Sequence, residues 1–314
     1  MKQTAMLVAL LMMAIAASAQ GTGQAGQQAA PAPGQTAPAT AAAQAKRPPQ
    51  TKTQPEYDAW KAADASSRPS PEEQATAQKS AGDSQQISAT VAARTEKAAD
   101  DFATKFPDSE VRILLYKTAM RNYQGSNNAE KTEAMGRKVL SLDADDPESL
   151  VTVAEVIAER TRDSDLDRDQ RYDDAMKMAT RSLTTADTDI SVPAGTPQDR
   201  VDAYKAGLRS QAYSIMGAIE YNKNNFPAAQ EQLQKSIDAF PSMPDPVVVL
   251  RLALSLDKQS KYPDALKVAN RVVELTQEGT QIGTLARRER DRLQQLTGGA
   301  AAPATTPQAQ PPKN

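Results

Sequence analysis

Residues 210–243 read SQAYSIMGAIEYNKNNFPAAQEQLQKSIDAFPSM, and this stretch indicates the fold. Its apolar residues recur at spacings of three and four, which is the period of amphipathic helices. The small residues Gly217 and Ala229 stand within the apolar stripes, where they would let two helices approach closely. Phe226-Pro227 puts a proline where the first turn of a helix tolerates it. The stretch therefore predicts a helical hairpin.

The same arrangement recurs along the chain. Windows over residues 246–279, 113–146 and 147–189 align with it, although the last of them needs nine extra residues between its two helices. In the window that begins at residue 246, positions 4, 7, 8, 11, 17 and 20 are occupied by Val249, Leu252, Ala253, Leu256, Tyr262 and Ala265. A period of about 34 residues indicates hairpins that stack, because one hairpin cannot cover its apolar face alone.

This frame resembles the tetratricopeptide repeat (TPR), and the chain is similar to exported, periplasmic bacterial TPR proteins. The resemblance implies an all-α, TPR-type α-solenoid of about five hairpins over residues 55–297. The first hairpin would carry Trp60 on one helix and Phe102 on the next, with a long loop between them. A capping helix over residues 280–297 would follow the last hairpin, because its apolar residues form one stripe and its other face is charged.

The two ends of the chain differ from the repeats. Residues 1–19 combine a basic residue, an apolar run and small residues ending at Ala19, which predicts a signal peptide cleaved after Ala19. Residues 20–54 and 298–314 are rich in Ala, Gln, Pro, Gly and Thr, which predicts disordered segments. The charged residues of the first segment are Lys46, Arg47 and Lys52. We expect the mature protein to be periplasmic or secreted and, since the chain has no Cys, not a lipoprotein.

Composition narrows the possible chemistry. The chain has no Cys and no His, which excludes thiolate and imidazole nucleophiles and metal ligands. A net charge of −2 argues against a nucleic-acid partner, and no apolar stretch of the mature chain is long enough to predict a transmembrane segment. Asp163, Asp165, Asp167 and Asp169 alternate in the insertion at 160–171, but Arg168 stands where a calcium loop needs Gly. We therefore expect no cofactor and no metal, and a solvated loop that could contact a partner.

The resemblance implies a groove lined by the first helix of each hairpin. Its candidate partner-binding residues are Lys117, Arg121, Gln124, Val151, Glu155, Tyr221, Val247, Leu250 and Leu254. So drawn, the groove is basic at one end and apolar at the other, which suits a peptide or an amphipathic helix. An alternative is that the capping helix covers Val247, Leu250 and Leu254. The sequence leaves open whether the insertions at 160–171 and 188–200 are ordered.

These features predict a non-enzymatic protein–protein interaction scaffold of the bacterial cell envelope. Its partner would be a protein or peptide, and a homo-oligomer is an open possibility. The first alternative is a self-associating structural spacer that uses the surface at Val247, Leu250 and Leu254. A more remote alternative is an envelope hydrolase, because Ser255-Leu256-Asp257-Lys258 matches the spelling S-x-x-K.

Overall fold

The computed structural model describes residues 46–193 and 195–298. The predicted signal peptide, the linker up to residue 45 and the tail from residue 299 lie outside the described residues. The helices are α1 (Gln54–Ser66), α2 (Pro71–Ala77), α3 (Ala81–Lys105), α4 (Arg112–Gly125), α5 (Ala129–Leu142), α6 (Pro147–Arg160), α7 (Arg168–Thr185), α8 (Gln198–Asn222), α9 (Phe226–Ala239), α10 (Pro246–Lys258), α11 (Tyr262–Leu275) and α12 (Gln281–Gly298). No strand occurs within these described ranges, and the all-α prediction is confirmed.

The helices pack in adjacent pairs within two compact units. In the first unit, which ends at Ile215, α1 and α2 pack on α3. In the same unit, α3 packs on α4, α4 on α5, α5 on α6 and α6 on α7. In the second unit, which begins at Met216, each helix from α9 to α12 packs on the next, and α12 also contacts α10. Helix α8 belongs to the first unit up to Ile215 and to the second from Met216. Consecutive pairing is what stacked hairpins require.

Aspartate and proline start two of the repeat helices, as the sequence predicts. The Asp146 carboxylate accepts a hydrogen bond from the Ser149 N–H at 2.8 Å, and the Asp245 carboxylate accepts one from the Val247 N–H at 2.8 Å. Each aspartate satisfies an N–H that the first helical turn leaves without a partner. The proline that follows each aspartate has no N–H to satisfy, so it suits the first turn.

Three hairpins close through the same turn. Asn127, Asn224 and Ser260 adopt a left-handed backbone, with φ of 58°, 61° and 60°. Each occupies position 15 of its repeat window. The next residue's N–H donates to the carbonyl five residues earlier, in the pairs Asn128 to Tyr123, Asn225 to Glu220 and Lys261 to Leu256. This pattern satisfies the carbonyls at the end of the first helix and reverses the chain, so the three turns are structurally equivalent.

Small residues allow the helices of each pair to approach closely. The alanines at positions 8 and 20 of the windows that begin at 147, 210 and 246 have no exposed surface; they are Ala154, Ala175, Ala229, Ala253 and Ala265. At Gly217 a Cβ atom would lie 2.7 Å from Leu233 Cγ and 3.1 Å from the Leu233 backbone nitrogen. Close-packed interiors tolerate such added volume poorly. The helix spacing of each hairpin therefore depends on these positions.

The structure differs from the sequence expectation in three places. The loop of the N-terminal hairpin contains helix α2, whose start is fixed by a capping box between Ser70 and Glu73. Helix α8 begins at Gln198, well before the window that opens at residue 210. Residues 46–54, which we expected in the disordered linker, contact the folded first unit, because their charged side chains find partners there.

We predict opposite effects for two glycine substitutions in helix α8. Gly217→Ala should lower the free energy of unfolding by about 1–3 kcal/mol, because the new methyl group meets Leu233. Gly207→Ala is the control, since a Cβ atom there would have no neighbour within 4 Å. It should raise the free energy of unfolding by about 0.5–1 kcal/mol through the higher helix propensity of Ala. Urea unfolding followed by circular dichroism measures both, and equal effects would contradict the close approach at Gly217.

Candidate functional site

A buried charge cluster occupies the predicted basic end of the groove. Lys117 Nζ lies 2.6 Å from Asp146 Oδ2 and 3.1 Å from Glu148 Oε2. Arg121 holds both Glu148 oxygens, with Nε 2.6 Å from Oε1 and Nη2 2.5 Å from Oε2. Tyr204 of α8 donates its hydroxyl to Glu148 Oε2 at 3.0 Å. The Glu148 side chain is only 4% exposed, and three partners from two other helices meet at its carboxylate.

The cluster is charged and internally neutralised. Burial by itself would raise the pKa of the Glu148 carboxyl, but the Arg121 and Lys117 charges outweigh it and hold that pKa well below its usual value. Burial and the neighbouring Glu148 charge raise the pKa of the Tyr204 hydroxyl, which therefore stays protonated as a donor. The first turn of α6 adds a favourable helix dipole for a carboxylate at this place. The sequence places Lys117 and Arg121 among the candidate partner-binding residues. In the structure both side chains are paired with Glu148, and partner binding by them stays a prediction.

The other predicted groove residues lie at different depths. Val151 has no exposed surface, and Gln124 is half-buried. Gln211 of α8 donates to the Glu155 carboxylate at 2.9 Å, so Glu155 helps to hold α8 beside α6. On the predicted groove face of α6, Val151 is thus buried, and Glu148 and Glu155 bind side chains of α8. None of this tests partner binding, which remains a prediction for these residues.

The predicted apolar end of the groove belongs to the core of the second unit. Leu250 is buried in this core, and Leu254 is half-buried and packs against it. Val247 is half-buried at the start of α10. Tyr221 is also half-buried, and its ring and the Phe226 ring pack in a T-shaped arrangement with centroids 5.4 Å apart. These side chains leave less apolar surface for a partner than the sequence suggested.

The capping helix contacts the groove side of α10. Arg292 of α12 lies 2.5 Å from Asp257 of α10 and 2.8 Å from Glu289 of its own helix. The Asp257 and Glu289 side chains are largely buried, while Arg292 is half-exposed. This ion pair fixes α12 to α10 at groove position 12. The arrangement fits the alternative in which the cap, rather than a partner, lies beside the apolar groove residues.

A charged cleft opens elsewhere in the first unit. It encloses about 690 Å³ and is lined by Glu133, Arg137, Ile157, Glu159, Arg160, Arg162, Asp165, Asp167, Arg171 and Asp174. Helices α5, α6 and α7 and the insertion that follows α6 therefore all contribute. Arg137 is paired with Glu133 at 2.8 Å, and Arg171 Nε donates to the Thr161 hydroxyl at 2.9 Å. Within the described ranges, the exposed Arg160 and Arg162 guanidinium groups have neither a hydrogen bond nor an ion pair.

The insertion beside this cleft is a sequence of tight turns. The Arg162 N–H donates to the Asp165 carboxylate at 2.8 Å, and the Asp165 N–H donates back to the Arg162 carbonyl at 3.1 Å. The chain then projects Leu166, whose side chain is fully exposed. Asp163 and Asp169 point into solvent, and the described part of the chain holds no group of three carboxylates that could bind a metal ion.

Sequence reasoning identified this insertion but missed its three prominent side chains, Arg160, Arg162 and Leu166. The signal was present, because Leu166 is the only large apolar residue in a run of charged and polar ones from 159 to 171. An apolar side chain in such a run cannot be explained by helix packing. Its full exposure at a turn makes Leu166 a candidate contact residue.

The hydrolase alternative finds no accessible nucleophile at its proposed position. Ser255 has no exposed surface, and its hydroxyl donates to the Arg251 carbonyl at 2.8 Å. Lys258, the other residue of the S-x-x-K spelling, is exposed at the end of α10. A nucleophile must reach its substrate and its base, and a buried serine bonded to its own helix reaches neither.

No protein-family model matches the chain, and no curated protein matches it in sequence. Among solved structures, the chain is similar to one described as "Assembly Chaperone of RpL4 (Acl4) (Residues 1-338)". The sequence identity is 11%, the TM-score is 0.37, and the likeness covers 70% of this chain and 95% of that chain. Values this low indicate neither a shared family nor a shared role. Of the helices that the structure describes, none combines the length and the apolar character needed to cross a membrane.

We predict that Glu148→Gln destabilises the protein strongly. It removes the shared anion of Arg121 and Lys117, and loss of one partner of a buried ion pair costs about 3–5 kcal/mol. Asp101→Asn is the control, because it breaks the exposed Lys97–Asp101 pair, which contributes less than about 1 kcal/mol. Urea unfolding at pH 7 measures both variants.

The same comparison has a pH signature. A carboxyl whose pKa is lowered by folding contributes stability that is present above its unfolded pKa, about 4.3, and is lost as the pH falls toward the folded pKa. The difference between the wild type and Glu148→Gln should therefore shrink below about pH 4. A difference that stays constant from pH 7 to pH 3 would contradict the ionised cluster.

Proposed function

We propose that this protein is a non-enzymatic scaffold that binds other proteins, built from hairpins of the tetratricopeptide type. The observation that carries the proposal is the shared turn, in which Asn127, Asn224 and Ser260 take the same backbone conformation at the same repeat position. Equivalent turns and fully buried small residues favour one structural unit used several times. Stacks of such units present long surfaces to protein partners.

The insertion after α6 and the cleft beside it form the surface that we assign to the partner. Leu166 supplies an exposed apolar anchor, and Arg160 and Arg162 supply guanidinium groups on the adjacent rim. Protein interfaces combine an apolar centre with a polar rim, and arginine is enriched in them. Guanidinium groups bind carboxylates through two parallel hydrogen bonds. The expected partner segment therefore carries an apolar side chain next to an acidic one.

Site-specific photo-crosslinking tests this assignment. A photoreactive phenylalanine analogue in place of Leu166 should give one distinct crosslinked partner in cells, because that side chain projects into solvent. The control position is Lys97, which is 76% exposed on α3 and far along the chain from the insertion. Combining the Leu166 probe with Arg160→Glu and Arg162→Glu should reduce the crosslink yield at least about tenfold, since these changes would repel a carboxylate.

The outcomes separate the alternatives. Equal products from the Leu166 and Lys97 positions would remove the insertion as the binding surface. A third probe at Leu285, an exposed residue of α12, reports self-association. Crosslinks from Leu285 to a second copy of the chain, with none from Leu166 to another protein, would favour the self-associating spacer over the scaffold.

We also propose that the scaffold is exported to the bacterial cell envelope. The support is the pattern of residues 1–19, with its apolar run and its small residues before Gln20. Mass spectrometry of the protein from the periplasmic fraction should find Gln20 as the first residue. Ala19→Arg should block cleavage, because the cleavage site requires a small residue there. A wild-type protein that still begins at Met1, or that is recovered only from the cytoplasm, would contradict export.

A further inference from the structure

Residues 46–52 form an extended segment, here called the strap, that lies on the first unit. Pro48 and Pro49 fix the backbone of this segment, because proline holds φ near −65° and pushes the preceding residue into an extended conformation. Such a segment rises by about 3.1 Å per residue and loses little entropy when it binds. The strap is therefore preorganised to reach several neighbouring turns at once.

Each charged residue of the strap contacts a turn between helices. Arg47 Nη2 lies 2.9 Å from both oxygens of Glu110, at the turn between α3 and α4. Lys46 Nζ lies 2.5 Å from Asp143, at the turn between α5 and α6, and 3.6 Å from Asp189, after α7. The remaining contact joins Lys52 Nζ to the Asp108 carbonyl at 3.1 Å.

The receiving side is a row of acceptors on alternate turns, here called the acidic edge and defined by Asp108, Glu110, Asp143 and Asp189. A backbone contact sets the register, because the Gln50 N–H donates to Glu110 Oε2 at 3.2 Å. The hydrogen bond from Arg47 lowers the pKa of the Glu110 carboxyl, so this carboxylate stays ionised at neutral pH. The edge thus recognises both the charges and the extended backbone of the strap.

The ion pairs of the strap are only partly buried. The Arg47 and Glu110 side chains are 60% and 40% exposed, and the Lys46 side chain is 39% exposed although its partner Asp143 is 15% exposed. Exposed ion pairs contribute little each and are screened by salt. A tethered segment of this kind competes with a free peptide mainly through its high effective concentration.

We propose that the acidic edge is a docking surface for an extended basic segment of a partner protein, and that the strap occupies it in cis until such a segment displaces it. The partner segment has the chemistry of the strap itself: two adjacent cations, a rigid extended spacer and a third cation. The proposal rests on the scaffold function but uses a surface separate from the insertion after α6. The peptide-binding test below needs no envelope partner. The docking proposal can therefore fail while the crosslinking result at Leu166 holds, and the crosslinking can fail while the docking proposal holds.

Binding of a strap peptide in trans tests the proposal. The probe is a fluorescent peptide of residues 46–53, KRPPQTKT. The full-length variant Lys46→Ser, Arg47→Ser, Lys52→Ser vacates the edge and should bind the probe at least about tenfold more tightly than the wild type, in which the tethered strap competes. Fluorescence anisotropy in 50 mM salt measures the affinity, and 500 mM salt should weaken it strongly.

Two controls make the result specific. The variant Lys61→Ser, Lys79→Ser, Lys267→Ser removes the same charge from exposed positions outside the strap and should bind like the wild type. Adding Glu110→Gln to the vacated variant should abolish most of the gain, because it removes the two-oxygen partner of Arg47. Circular dichroism verifies that each variant is folded. Equal binding by the vacated variant and the wild type, absence of binding to the folded vacated variant, or no effect of Glu110→Gln would each overturn the proposal.

Discussion

The packing of α4, α6 and α8 in the first unit depends on the buried Glu148 carboxylate. It is nearly inaccessible to water, and it is satisfied by Arg121, Lys117 and Tyr204, which come from two other helices. A buried carboxylate without those partners would be costly, so their positions are linked. Separating α4 from α6 would leave buried charges uncompensated, and moving α8 away would remove a hydrogen bond to the carboxylate. The cluster therefore adds charge and hydrogen-bond constraints to the apolar packing of α4, α6 and α8.

This arrangement changes which charges of the predicted groove are available to another molecule. A groove lined by unpaired cations would attract an acidic peptide, whereas here the cations are neutralised within the fold. The accessible chemistry lies at the margins of the repeats, on the turns and on the insertion. There the side chains are exposed, their ion pairs are weak, and the backbone is not committed to helix packing. Both surfaces that we propose for partners, the cleft beside Leu166 and the acidic edge, are of this kind.

The sequence predicted the local features well and the long-range ones less well. Asp-Pro pairs and small residues act within one helix or one hairpin, so α6, α10 and the close approach at Gly217 could be predicted from their spacing. The partner of Lys117 could not, because Glu148 lies on a different hairpin and the choice depends on how the hairpins pack. One clue was available: cations at groove positions of one window stand opposite anions at those of the next. The early start of α8 could not be predicted from a fixed repeat length either. The bounds of a helix are set by its hydrogen bonds and caps and not by the borders of a repeat window.

The left-handed turn at position 15 also determines where the chain can change length. Asn127, Asn224 and Ser260 close their hairpins there without an insertion. In the window that begins at residue 147, the same position is Thr161, which follows the last residue of α6 and lies in the insertion. The helices on either side of that insertion, α6 and α7, still pack as a pair. Extra residues at this point therefore leave the core unaltered, so the turns are the natural places to graft a foreign loop, an epitope or a new recognition segment.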